Sequence, residues 1–119
     1  MSQHSVQHVL WLGKSNDAAL ELHDGGENLS LADYDAITRV VLRLQPLGRV
    51  GQVVLDSSEK PSLFSWGGDD ARVLIRGGAL SSDDITPGYY RGRVSVYAAD
   101  APNGIVWLDL HQYSLLVRE

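Results

Sequence analysis

Glycine-bearing breaks cut this chain into short runs along its whole length. GKSND at 13–17, HDGGEN at 23–28, LGRVG at 47–51, WGGDD at 66–70, RGG at 76–78 and DAPNG at 100–104 combine the residue that tolerates positive φ with side chains that hydrogen-bond their own backbone, which is turn chemistry. No uninterrupted stretch of about ten residues carries a clean amphipathic helix pattern. Only LSLADYDA at 29–36 offers a short helical turn, ahead of the central strand.

Between the breaks the periodicity is two. In ITRVVLRL (37–44), Val40, Leu42 and Leu44 share one face while Arg39, Val41 and Arg43 take the other, as in a half-buried strand. In YYRGRVSVYA (89–98), Tyr90, Gly92, Val94, Val96 and Ala98 alternate with Tyr89, Arg91, Arg93, Ser95 and Tyr97. Further candidate strands span 7–12, 18–23, 51–56, 62–65, 72–76, 104–110 and 113–118. About eight or nine short strands joined by glycine-rich turns predict an all-β domain, a single antiparallel β-sandwich. Its core is expected to hold Val40, Leu42, Leu44, Val94, Val96, Leu108 and Val117 on facing sheets.

At 119 residues and 13.0 kDa the chain suits one domain with one hydrophobic core, preceded by a polar arm, MSQHSV at 1–6, that would order on a partner. The absence of cysteine excludes disulfides, thiolate metal sites and cysteine nucleophiles. Ten basic against fifteen acidic residues give a net charge of −5, the wrong sign for a protein that grips phosphate backbones, so no nucleic-acid partner is expected. The longest apolar runs, VLWL at 9–12 and IVWL at 105–108, fall far short of the roughly 20 residues of a membrane-spanning helix. The N-terminal residues have neither the basic start nor the apolar stretch of a secretory leader.

Catalytic chemistry has little to attach to. The sequence contains no G-x-S-x-G, no phosphate-binding G-x-x-x-x-G-K-[ST] and no G-x-G-x-x-G. The histidines His4, His8, His23 and His111 read as separate surface residues rather than metal ligands, and Asp33 with Asp35, Asp69 with Asp70 and Asp83 with Asp84 read as turn and cap residues. The expectation is a non-enzymatic protein with no metal and no cofactor.

The arginines carry the signal that remains. Eight of the ten basic residues are arginine, and Arg39 with Arg43, Arg72 with Arg76 and Arg91 with Arg93 lie in candidate strands at spacings that put each pair on one face. The strand at 89–97 adds Tyr89 and Tyr97 to that face. Tyrosine and arginine are enriched at protein interfaces, so Arg39, Arg43, Tyr89, Arg91, Arg93 and Tyr97 are the candidate docking residues; a solvated sheet face is the alternative.

NLSLADYDAITRVVLRL, RVLIRGGAL and TPGYYRGRVSVYAADAPNGIVW carry a resemblance. Together they resemble small immunoglobulin-like structural proteins of tailed bacteriophages, akin to the N-terminal domain of baseplate upper proteins. The matching positions are Asn28 to Leu31, Ile37 to Leu42, Gly88 to Tyr97 and Gly104 to Trp107, within roughly 27 to 110. The resemblance implies a virion component assembled in the bacterial host cytoplasm and joining other virion proteins, with no catalytic residues to carry over. Separately, the short apolar runs argue against a membrane partner, and acidic loops of one copy meeting the arginine face of another leave a homo-oligomer open. The chain ends at Glu119 with no receptor-binding or fibre domain, so tail, baseplate, neck and capsid-accessory positions stand equally open. Two other functions compete: carbohydrate binding, with Trp66 as the tryptophan expected to be accessible and Trp107 as core, and inhibition of a host protein.

Overall fold

The structure, a computed structural model, describes residues 6–24 and 27–119, the side chains of 24, 70 and 108–111 excepted. A five-stranded sheet is built around the two segments with the clearest period-two pattern, β5 (Ile37–Pro46) and β9 (Gly88–Ala98). They pair antiparallel, with Val40 opposite Val96 and Leu42 opposite Val94. Strand β6 (Val53–Asp56) closes one edge. On the other side of β9 lies β10 (Ala101–Arg118), then β1 (Val6–Trp11), giving the order β1-β10-β9-β5-β6. Expected strands 104–110 and 113–118 are thus one long strand whose register against β9 shifts between Leu108 and Tyr113. Val6, expected in the polar arm, begins β1; residues 1–5 lie outside the described residues.

A second sheet has the order β2-β8-β7, from β2 (Asp17–Leu20), β7 (Phe64–Gly67) and β8 (Asp70–Arg76). Two short strands, β3 (His23–Asp24) and β4 (Glu27–Asn28), form a separate pair. The helical turn expected from LSLADYDA is α1 (Leu31–Asp35), capped by Ser30 and Asp33 in a reciprocal capping box. Tyr34, fully buried on this turn, accepts the Leu22 N–H at 2.8 Å and donates to Asn28 Oδ1 at 2.5 Å, fixing α1 against the β2–β4 segment.

The all-β expectation holds; the wholly antiparallel one does not. Strand β1 runs parallel to β10, from Val6 opposite Tyr113 to Trp11 opposite Arg118. Parallel neighbours need a long connection, and here nearly the whole domain supplies it. The core expectation also needs a correction. Val40, Leu42, Leu44, Val94, Val96 and Val117 are buried, but all six belong to the same sheet; Leu20, Phe64, Val73 and Ile75 of β2, β7 and β8 supply the other side of the shared core. The Leu108 side chain lies outside the described residues. At Gly92, a Cβ would come within 2.8 Å of both Leu44 Cδ2 and Tyr113 Cδ2, so the missing side chain makes room for two core residues.

Half-buried His8 of β1 ties the two sheets together. A carbonyl can only accept, so Nε2 donates to Ala19 O of β2 at 3.0 Å, and Nδ1 accepts the Tyr113 hydroxyl at 2.9 Å. His8 is therefore not the inert surface histidine expected. The spacing of four from His4 invites a metal reading on a helix, but His8 stands on a strand and His4 lies outside the described residues.

Candidate functional site: the outer face of the five-stranded sheet

Registers across the sheet place all six expected docking residues on the face turned away from the core. Arg39 opposes Tyr97, Val41 opposes Ser95, Arg43 opposes Arg93, and Gln45 opposes Arg91. Beyond β9, Ser114 of β10 stands opposite Arg91 and Leu116 opposite Tyr89; β1 then adds Gln7 beside Ser114 and Val9 beside Leu116.

At one corner these residues are committed to holding the sheet. Arg39 donates from Nε to Asp56 Oδ1 at 2.9 Å and from its terminal nitrogen to Oδ2, in the two-pronged geometry that suits guanidinium and carboxylate. Its guanidinium carbon also lies 4.9 Å from the centre of the Tyr97 ring, a cation–π distance. Asp56 is only 6% exposed and further accepts Ser58 N–H at 3.0 Å and Ser58 Oγ–H at 2.9 Å. The Arg39 guanidinium, helped by the Ser58 donors and opposed by burial, holds this carboxyl far below the ordinary range for aspartate. Val41 and Ser95 are buried beside it. The Tyr97 ring in turn packs where a Gly104 side chain would stand, 2.8 Å from an ideal Cβ, and Gly104 has φ +85°. Arg39 and Tyr97 thus brace the strands more than they offer themselves to a partner.

The rest of the face is more exposed to solvent. Arg91 and Arg93 are exposed, Arg43 is half-buried, and Tyr89 is 63% exposed. Next to this arginine band lies an apolar shelf: Tyr89, Leu116, Val9 at 48% exposure, Trp11 at 38%, and exposed Leu47, whose N–H reaches Tyr89 O at 2.9 Å. Arg118 and Lys14 place their cations 5.3 Å and 5.4 Å from the Trp11 ring. Val9, Trp11 and Leu116 were not among the candidate docking residues. The signal was available, since alternation in VLWL sends Val9 and Trp11 to the side opposite Leu10 and Leu12, yet a four-residue apolar run reads as core.

Elsewhere the candidates separate. Arg72 and Arg76 stand on β8 of the other sheet, with Arg76 opposite Asp17. Trp66, expected to be the accessible tryptophan, is half-buried and donates its indole N–H to Ile37 O at 3.1 Å; Trp11 is the more exposed. Trp107 packs against the core and borders a cavity of about 420 Å³ with Val6, Leu20, Leu22 and His23, its buried Nε1 lacking a hydrogen-bond partner. Asp33 caps α1, Asp35 accepts Gly68 N–H at 3.0 Å, and Asp84 accepts from Ser81 and pairs with Lys60, all turn and cap roles. Among the described residues no group of three or more histidine, aspartate or glutamate side chains is placed to hold a metal ion. Among the described residues no helix is long and apolar enough to cross a membrane.

The chain matches no family model, no curated protein and no solved structure with which it was compared.

Proposed function

We propose that this protein is a non-enzymatic docking subunit of a tailed-bacteriophage virion, an adaptor or accessory part of the tail, baseplate, neck or capsid. The observation that carries the docking reading is the outer sheet face, where an aromatic and aliphatic shelf adjoins an arginine band on a chain of net charge −5. Contiguous exposed apolar surface rimmed by polar groups marks interaction sites, and arginine and aromatic residues anchor them. Membership of the virion rests on the resemblance of the strings at 28–44, 72–80 and 86–107, and with it goes the reading of the two sheets as an immunoglobulin-like sandwich. The face recognises a partner surface that offers apolar side chains beside carboxylates.

Quantitative mass spectrometry of purified particles from a host carrying the coding sequence tests this. The wild-type chain should be present at a fixed copy number, and Arg91→Glu with Arg93→Glu should lower it tenfold or more while the melting temperature barely moves. Absence of the chain from particles overturns the virion reading; normal incorporation of the folded double variant overturns the docking face.

Carbohydrate binding has one observation in its favour, the cavity at Trp107 with its unpartnered indole N–H. An NMR titration with mono- and disaccharides decides it: a shift confined to the Trp107 indole resonance supports the reading, and an unmoved spectrum removes it.

A further inference from the structure

Building on the docking reading above, we infer that the outer face takes as its partner a second copy of this chain, seated head to tail through the α1 end. The argument begins with where the charge lies. Among the described side chains of β5, β6 and β9, Asp56 alone supplies a carboxylate to the face, and Arg39 holds it. The acidic excess of the chain therefore lies elsewhere, and much of it gathers around α1. Glu27, Asp33, Asp35 and Asp69 are exposed there, with Arg72 as the cation on the adjoining hairpin strand. Two contacts draw these segments together, Asp35 accepting Gly68 N–H at 3.0 Å and Asn28 Nδ2 donating to Ala71 O at 2.9 Å.

Charge is not the only match. Leu31, the first residue of α1, is 44% exposed and stands four residues before Asp35. On a helix this spacing puts both on one side, about 6 Å apart along the axis. On the outer face Tyr89 and Arg91 stand two residues apart on a strand, a separation of about 6.8 Å. A copy that lays Leu31 on the shelf of Tyr89, Leu116, Val9 and Trp11 thus brings Asp35 over Arg91. Gly68 engages one Asp35 oxygen, and a carboxylate has acceptor capacity beyond that bond. Because α1 packs on β7 and β8 of the other sheet, the two surfaces of one molecule are different and both can be occupied. Such a heterologous contact closes into a ring or runs on as a filament, according to its rotation.

Analytical ultracentrifugation of the full chain at about 50 mM and about 500 mM salt is the test. At low salt the weight-average mass should rise with concentration above 13.0 kDa, and high salt should reverse the rise. Two variants dissect the contact. Arg91→Glu with Arg93→Glu removes the face, and Leu31→Lys with Asp35→Asn removes the apolar and charged contacts of α1 while keeping an acceptor for Gly68. Each alone should be monomeric; mixed in equal amounts they should form a dimer and nothing larger, since each supplies one intact surface. Circular dichroism melts establish that both fold; if either does not, Arg43→Glu or Leu31→Lys alone takes its place in the same mixing scheme. A wild-type chain that stays monomeric, an oligomer that survives in either variant, or a mixture that stays monomeric overturns the self-assembly. Particle incorporation reads the docking face separately, so a monomeric chain whose arginine variant still fails to incorporate refutes this inference alone.

Discussion

Arg43 and Arg93 stand directly opposite one another across the β5–β9 pair, two like charges on one face of a sheet. Such cross-strand pairs cost a few tenths of a kcal/mol to about 1 kcal/mol relative to neutral pairs. Arg43→Thr, which substitutes a good strand former, should therefore raise stability by about 0.2 to 1 kcal/mol in low salt, with the gain shrinking as salt screens the pair. Urea melts of the variant and parent at two salt concentrations check it. A loss of more than about 1 kcal/mol would mean Arg43 is a packing residue rather than a binding one.

Asp56 should make stability fall at acid pH. Its carboxyl is held far below the ordinary range, first by Arg39 and then by Ser58, so the unfolded chain takes up a proton there before the folded one does. The contribution is complete above the unfolded pKa of about 3.9 and is lost as pH falls below it. At pH 7, Asp56→Asn should cost about 1.5 to 3 kcal/mol, the range for hydrogen bonds to charged groups. The difference between parent and variant should narrow on going from pH 5 towards pH 2, which denaturant melts across that range will read.

His8 titrates in a higher window. Burial lowers its pKa, with the bond to Ala19 opposing. Protonation would also place a hydrogen on Nδ1 where the Tyr113 hydroxyl now donates. The unfolded histidine, near 6.5, therefore binds the proton first, and the stability tied to the neutral form is present above about pH 6.5 and lost as pH falls through it. Melting temperatures from pH 7.5 to 5 should decline more steeply in the parent than in His8→Gln. Equal slopes would show that this ring is not the group responsible.

Gly92→Ala should overfill the core. Its Cβ would meet Leu44 and Tyr113 at 2.8 Å, and overpacking of this kind costs about 1 to 3 kcal/mol. A second substitution, Leu44→Val, should recover part of the loss in the Gly92→Ala background while being destabilising in the parent. That sign reversal in a double-mutant cycle is the diagnostic outcome.

The alternation in ITRVVLRL and YYRGRVSVYA was enough to place the inner and outer residues of β5 and β9, because a strand's face follows directly from the parity of the residue number. The helical turn expected within LSLADYDA is α1, whose Ser30–Asp33 capping box emerges only in the structure. Parity does not say which strand is the neighbour. Nothing local in VQHVLW or YSLLVR signals that these segments pair parallel, with Leu10 opposite Val117, since the information lies in long-range packing. The docking face was half legible for the same reason. Arg91 and Tyr89 announced themselves on one strand, whereas Val9 and Leu116 join them only once β1 and β10 are set side by side. Trp66 misled because a neighbouring Gly-Gly turn suggests exposure, while the indole turns inward to bond Ile37 O.

The parallel seam of β1 and β10 gives the molecule a mechanical direction. Val6 stands at one end of the seam, opposite Tyr113, and Arg118 at the other, opposite Trp11. Tension drawn between Val6 and Arg118 slides the two strands past each other lengthwise, so the hydrogen bonds along six paired positions share the load at once instead of parting one after another. Resistance to forced unfolding is governed by the unfolding barrier rather than by equilibrium stability. A protein of modest size and no covalent cross-link can in this way bear a pull along its own backbone.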